Sequence, residues 1–201
     1  VPRIWGGTRL RTLLGVVAND TTVVGEAWFG GADGANNAPL VKLLDVADRL
    51  SVQVHPDDAL ASELHGAGEI GKHEAWVILD AAPGATILLG RDPSVAPQLL
   101  AESLLSGAPI EHLLARVSVS AGDVFDVPPG VLHALMPGLL VWEVQQPSDR
   151  TYRVSDWGRA DTQRPLHRIE AVRATNAEAI AGRHTHLPRS AGEHELLSSG
   201  A

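Results

Sequence analysis

Residues 122–133 read GDVFDVPPGVLH. Proline cannot donate to a β ladder, and glycine takes turn geometry freely. Pro128, Pro129 and Gly130 therefore force a tight turn between two apolar runs. His133 opens the run that follows, where its side chain can reach inward. The same alternation of short apolar runs with Gly and Pro breaks recurs along the chain. A short strand is predicted within 23–31 and a loop over 31–39. Residues 40–55 read as two strands around a charged turn at Asp45–Arg49. Residues 56–66 read as a helix. Pro56 suits its start, Asp57 and Asp58 suit the positive end of its dipole, and Gly66 suits its end. Residues 73–90 read as a hairpin around Pro83–Gly84, and 93–115 as two helices divided by Gly107. Strands resume over 117–135 and 138–146, and residues 182–201 read as a polar, poorly ordered tail. Many short strands with one helical insertion predict a mainly β fold, a β-sandwich or barrel with a jelly roll favoured.

Composition narrows the function. The chain has 201 residues, 44% hydrophobic and 20% charged, enough for one domain or one domain and part of another. Net charge is −8 and no long Lys or Arg run occurs, so neither nucleic acid nor an anionic membrane is an expected partner. A local cluster of cations can still hold an anionic small molecule. The absence of cysteine excludes disulfides and Cys-based zinc sites. No apolar run approaches the ~20 residues of a membrane span. VPRIWGG lacks the basic-then-apolar pattern of a signal peptide, and a cytoplasmic location is expected. Oligomeric state is left open.

RLSVQVHPDD (49–58) carries the first candidate chemistry. In a strand, side chains two apart share a face. Leu50, Val52 and Val54 then face one way, and Ser51, Gln53 and His55 the other. If the apolar set packs between sheets, the polar set lines a barrel interior or its mouth. A glutamine oxygen and an imidazole nitrogen side by side can both ligate a metal. The plainer alternative is the exposed polar face of an edge strand.

The spacing G-x5-P-x-G-x2-H in 122–133 resembles the second motif of the cupin superfamily, which implies a cupin-like jelly-roll β-barrel. The first motif of that superfamily usually supplies two histidines and then a glutamate. Here Gln53 and His55 stand as the pair, and the next acid just before a strand is Glu74. With His133 this gives one amide, two imidazoles and one carboxylate, a mixed set suited to a catalytic divalent metal. Zinc is favoured, with manganese and iron chemically open.

Taken together, GEAWFGG, PLVKLLDVADRLSVQVHPDD, GKHEAWVIL, GDVFDVPPGVLHAL and EVQQPSDRTYRVSDWGR resemble type I mannose-6-phosphate isomerase in its short bacterial form. The resemblance runs from Trp5 to about His167. It implies one zinc ion per chain held by Gln53, His55, Glu74 and His133, and a small-molecule sugar phosphate as substrate. It also implies catalytic roles for Arg153, Asp149 and Lys72, with Lys42 and Ser51 binding substrate. The implied reaction interconverts mannose 6-phosphate and fructose 6-phosphate through an enediol. Asp149, Glu74, Lys72, His73 and metal-bound water all stand as candidates for the shuttling base. Residues 1–160 are expected to form the metal-binding isomerase domain, with its helical insertion near 93–115. Residues 161–201 are expected to form a connection and tail, without the family's second β domain. Two other readings stay open: a sugar-phosphate-binding cupin with impaired turnover, and an iron-dependent cupin oxygenase. Tail residues His184 and His186 form an H-x-H pair, read as solvated.

Overall fold

The computed structural model describes residues 1–15, 23–29, 38–159 and 164–184. In chain order the elements are α1 (Arg9–Leu13), β1 (Glu26–Phe29), β2 (Leu40–Val46), β3 (Val52–Val54), α2 (Asp58–His65), β4 (Glu74–Ala81) and β5 (Thr86–Arg91). Then come α3 (Pro97–Ser106), a 3₁₀ turn (Glu111–Leu113), β6 (Leu114–Ser118), β7 (Val124–Val127), β8 (His133–Leu135), β9 (Leu139–Gln145), β10 (Tyr152–Ser155), α4 (Arg168–Ala174) and β11 (Gly182–His184).

The strands make two antiparallel sheets. One has six strands in the order β1-β2-β9-β4-β7-β11, the other five in the order β10-β3-β8-β5-β6. The sheets face each other across a core of Leu44, Trp76, Ile78, Phe125 and Val141 from the first and Ile87 and Leu135 from the second. This is the mainly β architecture expected, as two facing sheets; among the described residues their hydrogen bonding closes no barrel. A second core lies on the outer side of the five-stranded sheet. There Val52 and Val54 pack with Leu88, Leu100, Leu104 and Ala171, so α3 and α4 cover that surface.

This second core corrects the expected orientation of β3. Val52 and Val54 pack under the helices rather than between the sheets, which leaves the polar set of the same strand facing the inter-sheet space. Leu50, outside the strand, joins the inter-sheet core instead. The hairpin expected over 73–90 is also corrected. β4 pairs with β7 and β9, whereas β5 pairs with β6 and β8, so the Pro83–Gly84 turn carries the chain from one sheet to the other. The second helix expected near 108–115 is a 3₁₀ turn running into β6. The first forms as α3, with Pro97 in its first turn and Gly107 closing it in left-handed geometry. α2 starts two residues later than Pro56 suggests, because the Asp57 side chain caps it by accepting from Leu60 N.

Residues beyond 160 add α4 to the second core and β11 to the edge of the first sheet, where it pairs with β7. The expectation of an unstructured tail therefore fails over Gly182–His184. His184 is exposed on β11. His186, residues 185–201 and most of the loop expected over 31–39 lie outside the described residues. Among the described residues no helix is long and apolar enough to cross a membrane.

Candidate metal centre and substrate pocket

The two histidine motifs meet through the backbone. Gly130 N donates to His55 O at 3.0 Å, which clamps the P-P-G turn onto the end of the β3 segment. Gly130 sits at φ 88°, a conformation that favours glycine. β3 runs between β10 and β8, so Arg153, Gln53 and His133 stand in one row across three strands. Glu74, the first residue of β4, reaches in from the facing sheet.

His55, Glu74 and His133 converge there, each nearly fully buried, with potential ligand atoms all within 4.8 Å of one another. Both imidazoles have fixed tautomers. Nδ1 of His55 lies 2.9 Å from Arg150 O, and Nδ1 of His133 lies 2.9 Å from Val131 O. A carbonyl only accepts, so each Nδ1 carries the proton and each Nε2 presents a bare lone pair. These lone pairs face acceptors: His55 Nε2 is 3.4 Å from Glu74 Oε2, and His133 Nε2 is 3.2 Å from Glu74 Oε1. Burial lowers the pKa of both imidazoles, that of His133 to about 4, so neither readily supplies a proton to the carboxylate. Burial works against the Glu74 charge too, but the Lys72 ammonium outweighs it and holds Glu74 well below the usual range. His55 Nε2 and both Glu74 oxygens are buried without a hydrogen-bond partner. Lys72 Nζ approaches Glu74 Oε2 to 2.8 Å as its partner in a buried ion pair. Buried acceptors pointed at each other are costly, and a cation between them removes the cost. The donor set thus fits a divalent ion. Gln53 presents its amide nitrogen to His133 Nε2 at 3.3 Å and accepts from Ser51 Oγ at 3.4 Å. A half-turn of the amide exchanges that nitrogen for a ligating oxygen.

Beside the cluster opens a cavity of about 500 Å³. Lys42, Ser51, Lys72, Asp149 and Arg153, singled out from the sequence as substrate or catalytic groups, all line it. His73, a candidate for the shuttling base, does not: it is exposed and pairs with Asp126 instead. Lys42 is buried, with Nζ 3.1 Å from Asp149 Oδ1 and 3.6 Å from Glu143 Oε1. Burial alone would raise the Asp149 pKa, but Lys42 and Lys72 reverse that and lower it. Burial likewise opposes the charge of Lys72, yet Glu143 and Glu74 raise its pKa above the ordinary lysine value. Arg150, in the same segment as Arg153, pairs with Glu69 at 2.8 Å and does not line the cavity.

The structure also brings in residues that the sequence reading passed over: Glu143, Glu26, Arg3 and Arg164. Glu143 is buried against Lys42, Lys72 and the Trp76 indole, whose Nε1 lies 3.2 Å from Oε2. Burial raises its pKa to about 7, with Lys72 opposing and Glu74 adding to the rise. Alternation could have found it, since Leu139, Val141, Glu143 and Gln145 share the buried face of β9.

An acceptor-only cluster of this kind, enclosed by two facing β-sheets, defines a class: a cupin-fold protein built around a set of metal-ligand side chains. The family description "Phosphomannose isomerase type I, catalytic domain" matches residues 8–72. The chain is 36% identical over 230 residues to a Bacillus subtilis (strain 168) protein named "Probable mannose-6-phosphate isomerase GmuF", covering 97% of this chain and 72% of the relative. It therefore belongs to the type I mannose-6-phosphate isomerase family. A Streptococcus mutans mannose-6-phosphate isomerase is also 36% identical, with 85% of this chain and 63% of the relative covered. The crystal structure of the Bacillus subtilis mannose 6-phosphate isomerase superposes with a TM-score of 0.77 at 35% identity, covering 90% of this chain and 68% of that one. A Salmonella typhimurium phosphomannose isomerase shares the fold at 14% identity, with a TM-score of 0.68 over 89% of this chain and 72% of that one.

Proposed function

We propose that this chain interconverts mannose 6-phosphate and fructose 6-phosphate, with one zinc ion held by Gln53, His55, Glu74 and His133. The observation that carries the proposal is the buried His55–Glu74–His133 cluster beside a cation-lined cavity, in a chain of this family. A divalent ion in such a site supplies Lewis-acid polarisation of a carbonyl oxygen. The surrounding residues do the rest. Lys72 stays cationic and Asp149 stays ionised beside Lys42, so neither makes a good proton shuttle at neutral pH. Glu143 is better matched, because a base works best with a pKa near the working pH. As a carboxylate it takes the proton from carbon 2 of the aldose and returns it to carbon 1, while the hydroxyl proton passes between the two oxygens. Arg153 adds a charge that does not titrate, and Lys42 and Ser51 hold the substrate. Residues 1–160 supply every group assigned here.

The test is a coupled isomerase assay with metal analysis on purified protein and on His133→Ala and Gln53→Leu. Each variant is expected to lose metal and turnover together. A zinc-loaded, folded chain that leaves mannose 6-phosphate unconverted would overturn the reading.

A further inference from the structure

Charge in the cavity is unevenly placed. Its carboxylates Glu26 and Glu143 come from the six-stranded sheet, and Asp149 from the loop leaving that sheet. They sit close to Arg3, Lys42 and Lys72. On the side built by the five-stranded sheet, the described lining residues are Leu50, Ser51, Gln53, Thr151, Arg153 and Arg164, with no carboxylate among them.

Arg164 is held there by a fork. Its Nε and Nη2 lie 2.9 and 3.2 Å from the two oxygens of buried Asp156. Arg159 Nη2 claims the same carboxylate at 2.7 Å, so one Asp serves two guanidiniums. Arg159 also reaches the exposed Asp48, at 3.3 Å. The segment carrying Arg164 is zipped to β10. Arg153 Nη1 donates to Pro165 O at 3.1 Å, Arg153 N donates to His167 Nδ1 at 3.1 Å, and His167 N donates to Arg153 O at 2.8 Å. Trp157, a non-glycine residue at φ 59°, ties the same region to the segment just before β3 by donating from Nε1 to Leu50 O at 2.6 Å. Backbone strain of this kind persists where the surroundings over-determine it.

The geometry points to Arg164 as a phosphate-binding residue that sets specificity for the phosphorylated sugar, acting beside Ser51 and Arg153. The inference rests on the function proposed above. In the row His133–Gln53–Arg153, the arginine stands one strand spacing beyond Gln53 and two, roughly 10 Å, from His133. That places the carbonyl end of an extended sugar at the cluster and its far end at the wall without carboxylates. A guanidinium already oriented by Asp156 can engage a phosphate with little further ordering.

Zinc-loaded wild type, Arg164→Gln and Arg164→Lys are compared with mannose 6-phosphate and with unphosphorylated mannose. Calorimetry with inorganic phosphate runs alongside. Arg164→Gln is expected to raise KM for mannose 6-phosphate about tenfold to a hundredfold, with kcat little changed. It is expected to weaken phosphate binding in parallel and leave turnover of mannose unchanged. Arg164→Lys recovers part of the loss. An unchanged KM, or equal losses on both substrates, overturns the assignment. Absence of turnover in wild type defeats the proposed function instead. Phosphate calorimetry then decides Arg164 on its own: weaker binding in Arg164→Gln supports the assignment, and equal binding rejects it.

Discussion

Replacing Glu74 by glutamine keeps the shape of the cluster and removes its charge. Glu74 is 1% exposed, and Lys72 Nζ lies 2.8 Å from one of its oxygens. After the substitution Lys72 keeps Glu143, at 3.9 Å, as its remaining close carboxylate. Removing one partner of a buried ion pair costs about 3–5 kcal/mol. The new amide can donate to one bare imidazole nitrogen and offset about 1 kcal/mol. The metal-free variant is therefore expected to lose about 2–4 kcal/mol, a fall in Tm of roughly 5–15 °C for a chain of this size. Urea unfolding in chelator measures this. Repeating it with zinc measures the site itself, because saturating metal at a hundred times Kd stabilises a binding-competent fold by about 2.7 kcal/mol. Wild type should gain that increment and Glu74→Gln little of it. Equal stability in chelator would refute the charge argument, and an equal zinc increment would refute the ligand argument.

Glu143→Gln should lower kcat by about 10²–10⁴ while zinc stays bound. In wild type, kcat should fall as pH drops below about 7, where Glu143 takes up its proton. Stability has the opposite sign. The raised pKa means that the folded chain keeps a proton between 4.5 and about 7 that the unfolded chain has lost. That contribution is full below 4.5 and lost as pH rises through 7, so Glu143→Gln should gain on wild type in urea unfolding as pH rises from about 5 to 8. Gly130→Ala places a Cβ 3.1 Å from Asn176 Cβ and 3.3 Å from Ala174 O at a positive φ. A loss of about 1–2 kcal/mol is expected, together with weaker zinc binding through the displaced His133, read by calorimetry. Leu100→Ala empties part of the second core and should cost about 2–5 kcal/mol in urea unfolding. Zinc affinity should hardly change, because Leu100 packs on the outer side of the sheet.

Local chemistry was legible in the sequence, whereas strand partners were not. Alternation placed Ser51, Gln53 and His55 on one face, and the P-P-G turn placed His133 at a strand start, because both are short-range constraints. The turn at Pro83–Gly84 was equally readable, yet which sheet each flanking strand joins depends on β7, β8 and β9, which lie some 50 residues on. Ile110, Leu113 and Leu114 have helical spacing, but so short an apolar run serves a 3₁₀ turn and strand equally well, and β5 pairing decided it. Glu143 falls on the buried phase of the β9 alternation, but its partners Lys42, Lys72 and Trp76 come from distant segments that no local pattern joins to it. Arg164 follows a stretch with no strong periodicity, and its place depends on Asp156, a contact no local pattern encodes.

Stepwise zinc titration of the chelator-treated protein, read by mannose 6-phosphate turnover, tests the central claim most directly. Activity should be absent at the start, rise in proportion to added zinc, and level off at one equivalent per chain. Turnover that persists without metal, or a stoichiometric zinc site with no turnover, would contradict the account.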